Sequence, residues 1–109
     1  MVYKFIFDDD FRKEFKRLAK KYPSLQEDFE KLTNDIETEL KTADDLGNGF
    51  KKIRISIKSK GKGKSGGGRV ITYETIINTY EQNILFALIY DKNEYSKIDL
   101  NILKKNLGL

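Results

Sequence analysis

Apolar positions along the chain change period several times, and each change predicts an element. Val2 to Phe7 is rich in aromatic and β-branched residues and reads as a strand. Phe11, Phe15, Leu18 and Tyr22 follow at helical spacing, after Asp8-Asp9-Asp10, whose carboxylates suit a helix N-terminus. Pro23 ends that helix. Ser24 with Glu27 predicts a capping box for a second helix, striped by Leu25, Phe29, Leu32, Ile36 and Leu40. So short a break predicts an antiparallel helical hairpin. Thr42 to Gly49 reads as turn material, with Asp44-Asp45 and Gly47-Asn48-Gly49. Ile53, Ile55 and Ile57 then alternate with Lys52, Arg54, Ser56 and Lys58, a half-buried strand with isoleucines inward and cations outward.

Arg69 to Ile77 reads as the next strand and Tyr80-Glu81-Gln82-Asn83 as a hairpin turn. Ile84 to Tyr90 is apolar almost throughout, as a central strand covered on both faces would be. Ser96 and Asp99 mark a closing helix with Leu100, Leu103 and Leu107 inward and Gly108 just past its end. The order is β-α-α-β-β-β-α. The expected class is α+β, an antiparallel sheet of about four strands with the helical hairpin on one face and a short C-terminal helix.

Length and composition narrow the chemistry. At 109 residues, residues 1–109 are expected to form a single domain. No cysteine is present, which excludes disulfides and thiolate chemistry. No histidine is present either, so catalysis falls to Lys, Arg, Tyr or carboxylates, and the usual zinc sites are excluded. Asp8 to Asp10 is read as helix capping, because three consecutive side chains converge poorly on one ion; no metal or cofactor is expected. The N-terminal apolar stretch is too short for a signal peptide, and Ile84 to Tyr90 is too short to span a bilayer. A soluble cytoplasmic domain without a membrane partner is the expectation.

Charge is the most uneven property of the chain. Lys51 to Arg69 holds eight basic residues and no acidic one, in a chain of 21 Lys+Arg and 17 Asp+Glu. Without that run the remainder has 13 basic and 17 acidic residues. A surface that only needs solubility mixes signs, and like charges on neighbouring positions repel. The concentration therefore points to a phosphate-rich partner. Lys52, Arg54 and Lys58 project from one strand face, with Arg69 able to lie opposite, and Lys60, Lys62 and Lys64 crown a glycine-rich loop. Gly63-Lys64-Ser65 looks like the end of a nucleotide-binding loop, but the earlier glycine that such a loop requires is absent, and a hairpin is expected where a strand–loop–helix is required. An NTPase is rejected. The glycines instead let backbone N–H groups and lysines approach a phosphate chain. Tyr73 reads equally as a base-stacking residue or as core.

Lys52-Ile53-Arg54, Ser59-Lys60-Gly61-Lys62-Gly63-Lys64, Gly66-Gly67 before Arg69-Val70-Ile71, and Ile89-Tyr90 with Lys92-Asn93-Glu94 together resemble the RelE/HigB-type toxins of bacterial type II toxin–antitoxin pairs. The likeness covers nearly the whole chain and is strongest to the HigB-type branch. It implies a RelE-like fold and a metal-independent endoribonuclease that cleaves mRNA at the decoding site of the ribosome. In such enzymes the ribose 2′-OH attacks the adjacent phosphate, leaving a 2′,3′-cyclic phosphate and a 5′-OH. By position, Lys52 and Arg54 match the family's two basic strand residues and Arg69 its phosphate-clamping arginine. The group that protonates the leaving oxygen falls near Lys92. Asn93 stands where many relatives carry arginine, and Tyr95 is the nearest counterpart of a later tyrosine. The resemblance also implies a cognate antitoxin protein, which either covers Arg69 or prevents entry to the decoding site.

The chemistry of the residues points the same way. Internal attack builds extra negative charge on the phosphorane, which fixed cations stabilise more than the ground state. A lysine among other cations is expected to lose its proton more readily, which makes Lys52 the candidate base. Arginine stays charged, so Arg54 and Arg69 are expected to hold oxygens. Two other classes fit the sequence less well. A non-nuclease relative of the ParE type, directed at DNA gyrase, has no need of Lys52, Arg54 and Arg69 on one face; a non-catalytic RNA-binding module is the third.

Overall fold

The computed structural model describes residues 1–95 and 97–109; the helix signal placed on Ser96 lies outside the described residues. The elements are β1 (Val2–Phe7), α1 (Asp9–Lys21), α2 (Leu25–Asn34), α3 (Ile36–Thr42), β2 (Asp44–Gly47), β3 (Phe50–Ile55), α4 (Gly63–Gly66), β4 (Gly68–Ile76), β5 (Glu81–Asp91) and α5 (Leu100–Asn106), with a 3-10 turn at Lys58–Lys60. The class is α+β, as the hydrophobic pattern requires.

Among the described residues, five strands form one sheet in the order β1-β5-β4-β3-β2. β5, β4, β3 and β2 pair antiparallel, but β1 pairs with β5 in parallel, Phe5 beside Ile84. The sheet is therefore mixed, a departure from the antiparallel one expected. Alternation along a strand reports its faces, not the direction of its neighbour. The neighbour is set by packing: Phe5 and Phe7 reach the Phe86 ring at 5.6 and 5.1 Å, and Phe11 and Phe29 complete the same aromatic cluster.

Two cores lie on opposite faces of the sheet. Ile53, Ile55, Ile57, Val70, Ile84, Phe86 and Ile89 face the helices, against Phe11 and Leu18 of α1, Leu25 and Leu32 of α2, and Ile36 and Leu40 of α3. Phe50, Ile71, Ala87 and Tyr90 face the other way and are capped by Leu103 of α5. The continuous apolar run in β5 thus reflects burial on both sides.

Local readings change at several points. Lys58, read on one strand face with Lys52 and Arg54, begins the 3-10 turn, because β3 ends at Ile55; Glu81, Gln82 and Asn83, read as turn, open β5, where they pair with β1 and β4. The second predicted helix is two, broken at Asp35, which ends α2 and begins α3. Ser24 precedes α2 but gives it no capping bond; its hydroxyl donates to Asp28 at 2.7 Å and meets the Ser59 hydroxyl at 2.9 Å. The stretch read as a turn contains the edge strand β2, placing Asp44 opposite Lys52 and Asp45 opposite Lys51. Opposite charges across a ladder favour that pairing. Asp8, by contrast, caps α1 as expected, accepting from the Asp10 N–H at 3.0 Å.

Candidate functional site

Cross-strand register builds the site. Arg54 of β3 lies opposite Arg69 of β4, and Arg69 lies opposite Tyr90 of β5. Two residues along, Lys52 lies opposite Ile71, which lies opposite Leu88. Ile53 and Val70 face the helices, so the alternating positions Lys52, Arg54, Arg69 and Tyr90 share the α5 face. Tyr95 stands edge-on to Tyr90, ring centroids 5.5 Å apart, and so joins the same row from the turn after β5. Burial pushes the Tyr90 hydroxyl up from its ordinary pKa, against the opposing pull of the Arg69 charge.

Arg69 is 9% exposed, and its guanidinium organises the glycine-rich loop. Nη1 donates to the Lys64 and Gly68 carbonyls at 3.1 and 2.9 Å, and Nη2 to the Ser65 carbonyl at 3.1 Å. The bonds to Lys64 and Ser65 satisfy carbonyls of the one-turn helix α4, which a helix that short cannot satisfy itself. The Nε–H and one Nη2–H make no hydrogen bond among the described residues. The loop is thus folded around the Arg69 side chain. Its helix leads into a strand antiparallel to β3, so the rejection of a nucleotide-binding loop stands on topology.

Tertiary structure also brings carboxylates to the basic run. Lys51 pairs with Glu74 at 3.0 Å, Lys60 with Asp91 at 2.7 Å and Lys64 with Glu39 at 3.0 Å. The Lys64 pair is exposed on the lysine side and contributes little. Lys60 is different: its side chain is 9% exposed and that of Asp91 4%, so this lysine is removed from the RNA-binding set expected of the loop. Tyr73 is partly buried and packs on Phe50 with centroids 5.0 Å apart. Among the described residues, Lys52, Arg54, Lys58, Lys62 and Arg69 are the cations of the run without a carboxylate within 4 Å. Lys52 is half-buried; Arg54, Lys58 and Lys62 are exposed. Lys92 is exposed on the turn after β5, its own N–H donating to the Gly67 carbonyl at 3.1 Å.

Residues with no motif hold the site in place. Asp28, buried in α2, accepts the Lys58 N–H at 3.0 Å, and Ser24 Oγ accepts the Ser59 N–H at 2.8 Å. Asp91 accepts from Lys60, from the Tyr22 hydroxyl and from the Asn93 N–H. Arg17 of α1 binds Glu94 at 2.8 Å, and that bond, foremost, holds the Glu94 carboxyl below its ordinary pKa. The only sequence signal for Asp91 was a lone carboxylate ending an apolar run.

Burial raises the pKa of Asp91, but the hydrogen bonds from Lys60, Tyr22 and Asn93 outweigh it and hold the carboxyl down at about 2. A depressed carboxyl stabilises the fold fully above its unfolded pKa and loses that contribution as pH falls through the folded value. The expected contribution is on the order of 2 kcal/mol above about pH 4, lost toward pH 2. Denaturant unfolding of the parent and Asp91→Asn at pH 7 and pH 2 checks this: the difference between them should shrink at the lower pH.

A family model described as RelE toxin of the RelE/RelB toxin–antitoxin system matches residues 7–106. The chain belongs to the RelE toxin family. The match runs from the end of β1 to the last residue of α5, so it takes in the cationic row, the glycine-rich loop and both cores. Membership makes the protein a toxin of a toxin–antitoxin system, with an antitoxin as its partner. No curated protein matches the chain. Among the described residues, no helix is long and apolar enough to cross a membrane.

Proposed function

We propose that this RelE-family toxin is a ribosome-dependent mRNA endoribonuclease working without a metal. The observation that carries the reading is the shared sheet face of Lys52, Arg54 and Arg69, with the Tyr90–Tyr95 pair beside it. Lys52 takes the proton from a ribose 2′-OH, and the 2′ oxygen attacks the adjacent phosphorus. The P–O5′ bond breaks, and the departing 5′ oxygen takes a proton from the turn carrying Lys92 and Tyr95. The products are a 2′,3′-cyclic phosphate and a 5′-OH. Arg54 and the two uncommitted N–H groups of Arg69 stabilise the charge that develops on the phosphorane oxygens. Lys58 and Lys62 hold flanking phosphates, and Lys64 joins them once it leaves Glu39.

Incubating the chain with translating ribosomes and a defined mRNA, then mapping new ends, tests this. New 5′-OH ends that require ribosomes support it; their absence with translation undisturbed rejects it. Salt dependence tests the electrostatics separately. With about four exposed or half-exposed cations meeting phosphates, the log–log slope of RNA affinity against salt should be about −3, rather than the steeper value the whole run would imply. A flat response would remove the phosphate-binding role.

A further inference from the structure

The geometry points to Asp91 as a positioning residue that couples the basic loop to the turn carrying Lys92 and Tyr95, and this rests on the nuclease reading above. Its Oδ1 accepts from Lys60 Nζ at 2.7 Å and from the Asn93 N–H at 3.0 Å. Its Oδ2 accepts from the Tyr22 hydroxyl at 2.5 Å. One carboxylate therefore ties the 3-10 turn before the glycines, the turn after β5 and the end of α1. Lys60 Nζ also approaches the Gly67 carbonyl at 3.4 Å, and the Lys92 N–H donates to the same carbonyl at 3.1 Å. Asp91 faces the helices while its neighbour Tyr90 faces α5 beside Arg69, so the tie lies behind the cationic row and not in it.

Two considerations separate this from a merely stabilising contact. A buried ion pair seldom outperforms an apolar pair of the same volume in stability, so what it supplies best is a defined geometry. The groups it defines are also those the reaction needs at a fixed spacing: Lys58 and Lys62 flank the loop side, and Lys92 and Tyr95 stand on the other. An error of about 1 Å between the groups that hold the phosphates and those that protonate the leaving oxygen costs on the order of 10²-fold in rate.

The test uses the full chain as parent, Lys60→Met, Lys60→Met with Asp91→Leu, and Lys51→Met, which breaks the pair with Glu74 away from this carboxylate. The double variant replaces the pair by apolar side chains and keeps the test open if the single one folds poorly. Both Lys60 variants should exchange the Lys92 and Asn93 amide hydrogens at least about tenfold faster, with Phe86 to Ile89 unchanged. With ribosomes and a defined mRNA, kcat should fall at least about tenfold while KM stays within about threefold, because binding cations remain and alignment is lost. Lys51→Met should keep the parent kcat. Unchanged amide exchange in a folded double variant, or a parental kcat, overturns the proposal. A parent that makes no 5′-OH ends overturns the nuclease reading and the reaction role with it, while the exchange data still decide whether Asp91 couples the turns.

Discussion

Lys52→Ala combined with Arg54→Ala is expected to lower ribosome-dependent cleavage by about 10⁴-fold or more, with Tm close to the parent. A positioned general base contributes about 10²–10⁴-fold and a donor aimed at developing charge about 10²–10³-fold, and groups acting on one transition state are not additive. Stability should change little, because Arg54 is exposed, Lys52 half-buried, and neither holds a carboxylate within 4 Å among the described residues. Removing two like charges on one strand face relieves repulsion, which offsets the lost attraction between Lys52 and Asp44 across the ladder. Single-turnover cleavage beside thermal unfolding reads both quantities. A stable double variant that cleaves within tenfold of the parent would remove Lys52 and Arg54 from the reaction. Arg69→Ala is a less discriminating choice, since it also releases the carbonyls of α4.

Gly67→Ala is expected to cost at least about 3 kcal/mol, near the upper end of overpacking effects, and to lower Tm by about 10 °C or more. A Cβ there would lie 2.1 Å from the Ile55 carbonyl oxygen, 3.0 Å from that of Gly63 and 3.1 Å from the Ile57 nitrogen. All three are backbone atoms of the strand and loop that carry the cations, so no side chain can swing aside. Relief requires β4 to move away from β3, which breaks the Arg54–Arg69 register. Toxicity should fall with stability. Gly61→Ala is the comparison: its φ of +73° disfavours alanine by about 1–2 kcal/mol, but nothing lies near the added carbon. Equal Tm values for the two variants would contradict the packing described here.

Function was legible mainly through the basic run and its glycines. The alternation of Ile53 and Ile55 with Lys52 and Arg54 predicts which side chains share a face, because a strand has a period of two. That Arg69 stands directly opposite Arg54 is a matter of register, which a hairpin with a 12-residue connection between β3 and β4 leaves open. The expectation of eight unrelieved cations failed for a physical reason. Glu74, Glu39 and Asp91 are remote in sequence or belong to other elements, and only folding brings them within 3 Å or so of Lys51, Lys64 and Lys60.

By itself the sequence determined the α+β class, the helical segments over the sheet, the doubly buried strand around Ile84 to Tyr90, and where positive charge would concentrate. Those follow from periodicity, capping residues and local composition, which neighbouring residues encode. Only the tertiary structure decided that β1 runs parallel to β5, that Asp44 to Gly47 forms an edge strand, and that Lys60 is buried against Asp91 while Lys58 and Lys62 stay in solvent. Strand partners, register and the fate of a charged side chain depend on contacts between distant segments, and identical lysines in one loop carry no local mark of which will find a carboxylate.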